Sequence, residues 1–142
     1  MKIHQLSLFA ENKPGHIAAP ARLLALEGID IRSLYLADTQ QYGIVRMIVS
    51  DWQKAAGLLE AHGFAAKVTE VLAVQVPDHP GGLADVLGAL DGSGINIEYM
   101  YAFPYLRGGQ AILIFRFADP DAAIAYLQKA GISVLAGEEI LK

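Results

Sequence analysis

The chain repeats itself at a fixed spacing, and that repeat constrains its fold more than any other feature. Lys13-Pro14-Gly15 returns 66 residues later as His79-Pro80-Gly81, and Gly28-Ile29-Asp30-Ile31 returns at the same spacing as Gly94-Ile95-Asn96-Ile97. Leu6, Leu8 and Ala10 map onto Leu72, Val74 and Val76 in the same register, and Gly43 maps onto Gly109. Further along each half the offset is 68, where Gly63 meets Gly131. Turns, strands and helix ends that keep one offset indicate a duplicated unit of roughly seventy residues. Two such units, 1–69 and 70–142, divide the chain. Each is near the lower size limit for independent stability, so the function belongs to two similar modules acting together.

Each half reads as β-α-β-β-α-β. Leu6, Leu8 and Ala10 share one side of an extended segment over 2–10. Asn12-Lys13-Pro14-Gly15 then turns the chain. Ile17, Ala21, Leu24 and Ala25 form a helical stripe that Gly28 closes, with Pro20 delaying or bending its start. Strands follow over Ile29–Ala37 and Ile44–Val49, with a turn at Asp38-Thr39-Gln40-Gln41 between them. Asp51 caps a second helix that ends at Gly63, and Phe64–Val68 forms a short fourth strand. The second half gives strands over Leu72–Val76, Ile95–Phe103 and Gln110–Phe117, and helices over Gly81–Leu90 and Pro120–Ala130. Asp119-Pro120 suits a helix start, and residues 132–141 finish the unit.

This order implies an α+β fold: two ferredoxin-like units in tandem, each an antiparallel sheet with both helices on one face. Lys67 to Leu72 runs from one unit into the next without a flexible spacer. One-sided coverage should make the strands alternate. Gln110–Phe117 is instead apolar on both faces along most of its length. That pattern points to an apolar partner for the sheet, either the other half or a second copy of the chain, and favours a homodimer.

Several classes of function are disfavoured. With a net charge of −4 and a pI near 5.5, the chain lacks the basic clusters that nucleic acid or an anionic membrane would need. There is no cysteine, so thiolate catalysis, disulfides and cysteine metal sites are ruled out. No nucleophile–base pair, His/Asp/Glu metal spacing or phosphate-binding glycine motif is present, so no catalytic residue, metal ligand or cofactor is expected. The amino terminus has no apolar run of signal-peptide length, which makes a cytoplasmic location the expectation.

The β-α-β-β-α-β order, with Asn-Lys-Pro-Gly or Asp-His-Pro-Gly before helix 1 and Gly-Ile-Asp-Ile or Gly-Ile-Asn-Ile opening strand 2, resembles the ACT domain, here in two tandem copies. The closer match is Val76-Pro77-Asp78-His79-Pro80-Gly81-Gly82-Leu83 with Leu90 and Gly94–Ile97. The resemblance implies a stand-alone regulatory protein that binds an amino acid at module interfaces and acts on an enzyme or regulator. The implied ligand-binding residues are Asn12, Pro14, Gly15, His16 and Asp30 in the first half. Those in the second are Asp78, His79, Gly81, Gly82, Leu83 and Asn96.

Physical chemistry supports such a site. The amides at the start of helix 1 favour a ligand carboxylate. Glycines at the turn let the backbone approach the ligand. Asn12 or Asp78 can accept a hydrogen bond from an ammonium group, and the charge of Asp78 favours the second half. Each of these residues is also an ordinary turn former. His16 and His79 flank the two turns and could touch a ligand. Tyr99, Tyr101, Phe103 and Tyr105 line one strand face as a ligand wall or an interface core. Arg46 and Arg116 break the repeat and could each pair with a carboxylate. The competing reading is an interaction module that has lost its ligand.

Overall fold

A computed structural model of the chain describes residues 1–38 and 42–141. The expected turn at Thr39-Gln40-Gln41 lies outside them. The chain forms two compact units. The first contains His4–Thr69 with Leu141, and the second contains Met1–Ile3 with Glu70–Ile140.

In the first unit, β1 (Ile3–Glu11), α1 (Ala18–Leu26), β2 (Ile31–Asp38), β3 (Tyr42–Val49) and α2 (Trp52–Ala61) lead into β4 (Ala65–Pro77). The strand order is β2-β3-β1-β4, and β1 and β2 both run antiparallel to β3. Pro20 is the third residue of α1, within the first turn, where no backbone N–H needs an intrahelical acceptor, so the helix runs unbroken from Ala18 to Leu26. Leu6, Leu8, Val45, Met47 and Val49 from the strands pack against Leu24 of α1 and Ala55 and Leu59 of α2.

The second unit takes the carboxy-terminal part of β4, then α3 (Gly82–Ala89), β5 (Ile97–Ala102), β6 (Gln110–Phe117), α4 (Pro120–Lys129), β7 (Val134–Leu135) and α5 (Gly137–Ile140). β4 pairs with β6 on one edge and β7 on the other, and β5 flanks β6, which reproduces the arrangement of the first unit. Leu72, Val74, Val76, Phe115 and Phe117 meet Val86, Leu90, Ala123 and Leu127 from the helices. Both faces of β6 are buried, as its pattern predicts: Ile112 and Ile114 face away from Phe115 and Phe117, and all four are buried. Lys2 belongs to this unit, with Nζ 3.2 Å from Asp121 and 3.6 Å from Glu70. Hydrogen bonding and charge attraction from Asp121, then the charge of Glu70, raise its ammonium above the ordinary 10.5.

Several boundaries differ from the sequence reading: β2 starts at Ile31 rather than Ile29 and β3 at Tyr42 rather than Ile44. The strands expected over Phe64–Val68 and Leu72–Val76 are not separate: Ala65–Val68 and Leu72–Val76 are parts of the single 13-residue β4, and Phe64 precedes it. No turn former lies between them, and Val68, Thr69 and Val71 keep the backbone extended. β5 starts at Ile97 rather than Ile95, because the Ser93 hydroxyl donates to the Leu90 carbonyl (2.6 Å) and accepts from the Ile95 amide (3.0 Å), prolonging the turn. The last segment holds a two-residue strand and a short helix, with the Glu139 carboxylate accepting from the Ala136 amide at 2.6 Å.

The strand registers also correct one equivalence. Ala10 pairs with Gly43 in the first unit, whereas Val76 pairs with Ala111 in the second. The offset is therefore already 68 at the third strand, and Gly43 corresponds to Ala111 rather than Gly109. Both copies keep a bulge in their second strand, at Ile31/Ser33 and Ile97/Tyr99, still 66 residues apart. The two extra residues thus enter between the second and third strands of the repeat.

Helix caps follow the sequence reading. The Asp51 carboxylate accepts from the Lys54 amide at 3.1 Å, and the Asp119 carboxylate accepts from the Ala122 amide at 3.1 Å. Each cap satisfies a donor that the helix leaves open. Asp51→Ala and Asp119→Ala should each destabilise the chain by about 1 kcal/mol in urea denaturation. No loss in either variant would mean that water replaces the cap without penalty.

Candidate functional site

The turn between the first strand and first helix of each repeat is the same structure twice. In the first unit the Lys13 amide donates to the Glu11 carbonyl (2.9 Å), His16 to Lys13 (3.3 Å) and Ala19 to Gly15 (3.2 Å). In the second, His79 donates to Pro77 (3.0 Å), Gly82 to His79 (3.0 Å) and Asp85 to Gly81 (2.9 Å). All three bonds recur with the 66-residue offset. The pivot is a glycine in the left-handed region, Gly15 at φ 84° and Gly81 at φ 91°, where a side chain would be strained.

The copies then diverge. α3 starts at Gly82, directly after the pivot, whereas α1 starts at Ala18, two residues later in the repeat. Gly82 is buried, and a Cβ built there would collide with the Pro77 carbonyl. The first copy has His16 at this position, and its chain makes a further turn before the helix begins.

The other predicted residues lie mostly at the surface. Asn12, Pro14, Gly15, Asp78, His79, Gly81 and Leu83 are exposed, and His16 is half-buried. The His79 Nδ1 lies 2.9 Å from the Pro80 carbonyl. Asp30 does not join its turn. Its carboxylate lies 3.2 Å from Arg32 Nε, its amide donates to the Ser50 hydroxyl (3.0 Å) and its carbonyl accepts from the Ser50 amide (2.9 Å). Asn96 is exposed ahead of β5 and makes no hydrogen bond to the turn among the described residues.

The two strand arginines have different partners. Arg46 donates to the Tyr35 hydroxyl at 2.7 Å, with its guanidinium over the Tyr35 ring. Arg116 donates to the Glu70 carbonyl at 2.8 Å and lies 3.9 Å from the Glu98 carboxylate. The aromatic series is split. Tyr101 and Phe103 are buried, while Tyr105 is exposed and meets Phe103 edge-on at 5.7 Å.

One concavity of the second unit reaches a predicted residue. A cleft of about 380 Å³ lies between the end of β4, the length of α3, the start of β6 and the 130–133 connection. Gly82 lines it together with Gln75, Asp85, Gln110 and Ser133, none of which the turn motif singles out. The sequence did hold a signal for three of them. At the repeat spacing, Gln75, Asp85 and Ser133 stand where the first copy has Phe9, Ala19 and Ala65. Among the described residues, no group of three or more metal-ligating side chains occurs, and no helix is long and apolar enough to cross a membrane.

Comparison with known proteins agrees with the duplicated architecture. The family model of the ACT domain pair matches residues 1–142. The chain belongs to the ACT domain pair family. Protein BT0572 from Bacteroides thetaiotaomicron is 37% identical, and its crystal structure aligns with a TM-score of 0.92 over 100% of this chain and 97% of that one. The ligand-free regulatory subunit of aspartate kinase from Thermus thermophilus shares the fold at 21% identity and TM-score 0.63, covering 89% of this chain and 91% of that one. The regulatory subunit of aspartate kinase from Thermus flavus does so at 19% and 0.60, covering 92% and 94%. No curated protein matches the chain significantly. As an ACT pair, the protein is thus built from the two ferredoxin-like modules that its repeat implied.

Proposed function

We propose that this ACT domain pair is a non-enzymatic regulatory protein that binds an amino acid, with modules at 1–69 and 70–142. It works as a cytoplasmic homodimer and passes the binding signal to an enzyme or regulator. The observation that carries the reading is the turn duplicated bond for bond, with a left-handed glycine ahead of a helix in each copy. The ligand carboxylate meets the first amides of the helix, which precede its first intrahelical bond. In the second module those amides follow Gly81 and Gly82, and Leu83 adds an apolar contact. Asp78 takes the ammonium group there, and Asn12 is its weaker counterpart. Pro14, Gly15, His16 and His79 shape the two turns, and Asp30 and Asn96 reach the ligand across a module interface. This role needs no cofactor, metal, nucleic acid or membrane.

A thermal-shift screen against the twenty amino acids at millimolar concentration tests the reading. Ligand at a hundredfold excess over Kd adds ~2.7 kcal/mol to the native state. A selective rise in melting temperature with one or two related amino acids is expected. Gly81→Asp should abolish that rise while leaving a folded protein. Its Cβ meets nothing within 4 Å, so the variant carries only the backbone strain of about 1–2 kcal/mol. An unchanged rise in the variant would place the ligand elsewhere. No rise with any amino acid would favour the ligand-free interaction module.

A further inference from the structure

The cleft of the second unit has features that the fold alone does not require. Its apolar floor comes from Val86 and Ile132. Gln75, Gln110, Ser133 and Asp85 also line the cleft, Asp85 and Ser133 being exposed, and their side chains make no hydrogen bond or ion pair among the described residues. A small concave site with an apolar floor and a few convergent polar groups is the usual form of a ligand pocket, and its volume lies in that range.

The duplication provides an internal control. The structural registers align Gln75 with Phe9, Asp85 with Ala19, Gln110 with Tyr42 and Ser133 with Ala65. The corresponding positions of the first unit therefore lack this polar set. Gly82 differs as well. Its missing side chain lets α3 lie directly against the Pro77 carbonyl at the cleft wall, where the first copy carries His16.

The charge of the lining selects the ligand class. Asp85 is the one charged side chain among the lining residues, so the side chains of the cleft attract a cation and repel a carboxylate. We infer that this cleft binds a small primary-ammonium compound that carries hydroxyl or carboxamide groups and no carboxylate. The ammonium sits against Asp85, and the polar remainder hydrogen-bonds to Gln75, Gln110 and Ser133. This site stands apart from the turn site proposed above, of which only Gly82 lines the cleft.

Titration of the full-length ¹⁵N-labelled chain with ethanolamine, glycinamide and serinamide, read by amide chemical shifts, tests the assignment. At least one of these probes should give saturable shifts across Gly82–Ala89 and Ala130–Ser133. Asp85→Asn should weaken that binding about tenfold or more, as expected for losing a charge-assisted hydrogen bond. Ser133→Ala should weaken it less. Serine, the acid counterpart of serinamide, should bind more weakly than the amide. The inference is overturned if no probe gives saturable shifts at Ala130–Ser133, if a folded Asp85→Asn variant binds equally well, or if serine binds as tightly as serinamide. Shifts confined to residues 12–16 and 78–81 would overturn it while leaving the turn site standing.

Discussion

Phe115→Ala should destabilise the protein by about 3–5 kcal/mol, the largest loss expected from a single core truncation here. Phe115 is 1% exposed in β6, with Leu72 of β4 on one side and Met100 of β5 on the other. Its ring stacks on Phe117 with centroids 5.6 Å apart. Truncation removes this apolar burial and leaves a cavity that the flanking strands can fill only in part. Urea denaturation should show the loss, and hydrogen exchange should place the weakened protection in β5 and β6. Tyr105 is the control. It is 57% exposed, and Tyr105→Ala should change stability by no more than ~0.5 kcal/mol. If Phe115→Ala lost less than about 1 kcal/mol, the packing of the second unit would have to be redrawn.

Gly82→Ala should produce the second large effect, a loss of about 1–3 kcal/mol from a single added methyl group. The obstacle is the Pro77 carbonyl, a backbone atom that no rotamer change can move aside. The start of α3 must therefore shift away from β4, and amide shifts from Pro77 to Val86 should report it. The same substitution has the opposite sign in α2. Gly57 lies within that helix with nothing within 4 Å of an added Cβ, so Gly57→Ala should stabilise by about 0.5–1 kcal/mol. Equal effects at the two positions would mean that helix propensity, and not the contact with Pro77, governs Gly82.

Most of the architecture was legible because it was written twice. The paired Pro-Gly turns, the caps at Asp51 and Asp119 and the glycine stops at Gly28 and Gly63 are local signals, and local chemistry decides them. The shift in offset was visible at Gly63 and Gly131, but its position was hidden for a simple reason. Gly43 and Gly109 are 66 residues apart by coincidence, and only the hydrogen-bonded register reveals the two added residues before the third strand. The continuity of β4 was hidden because two adjacent extended runs look alike whether they join or not. The cleft was least legible. Gln75, Asp85, Gln110 and Ser133 belong to four separate segments, and topology rather than spacing brings them together. The turn residues, being contiguous, were easy to find, yet Gly82 is the only one of them that lines the cleft.

The undivided β4 restricts how this pair can be taken apart. Ala65–Thr69 belong to the first unit and Glu70–Pro77 to the second, within one unbroken strand. Neither module can be excised at its repeat boundary without cutting that strand in two. A protease that cleaves flexible linkers finds no linker at this junction. Gene fusions that shuffle single modules would have to rebuild a strand end, so recombination would tend to pass the two copies on together as one heritable piece.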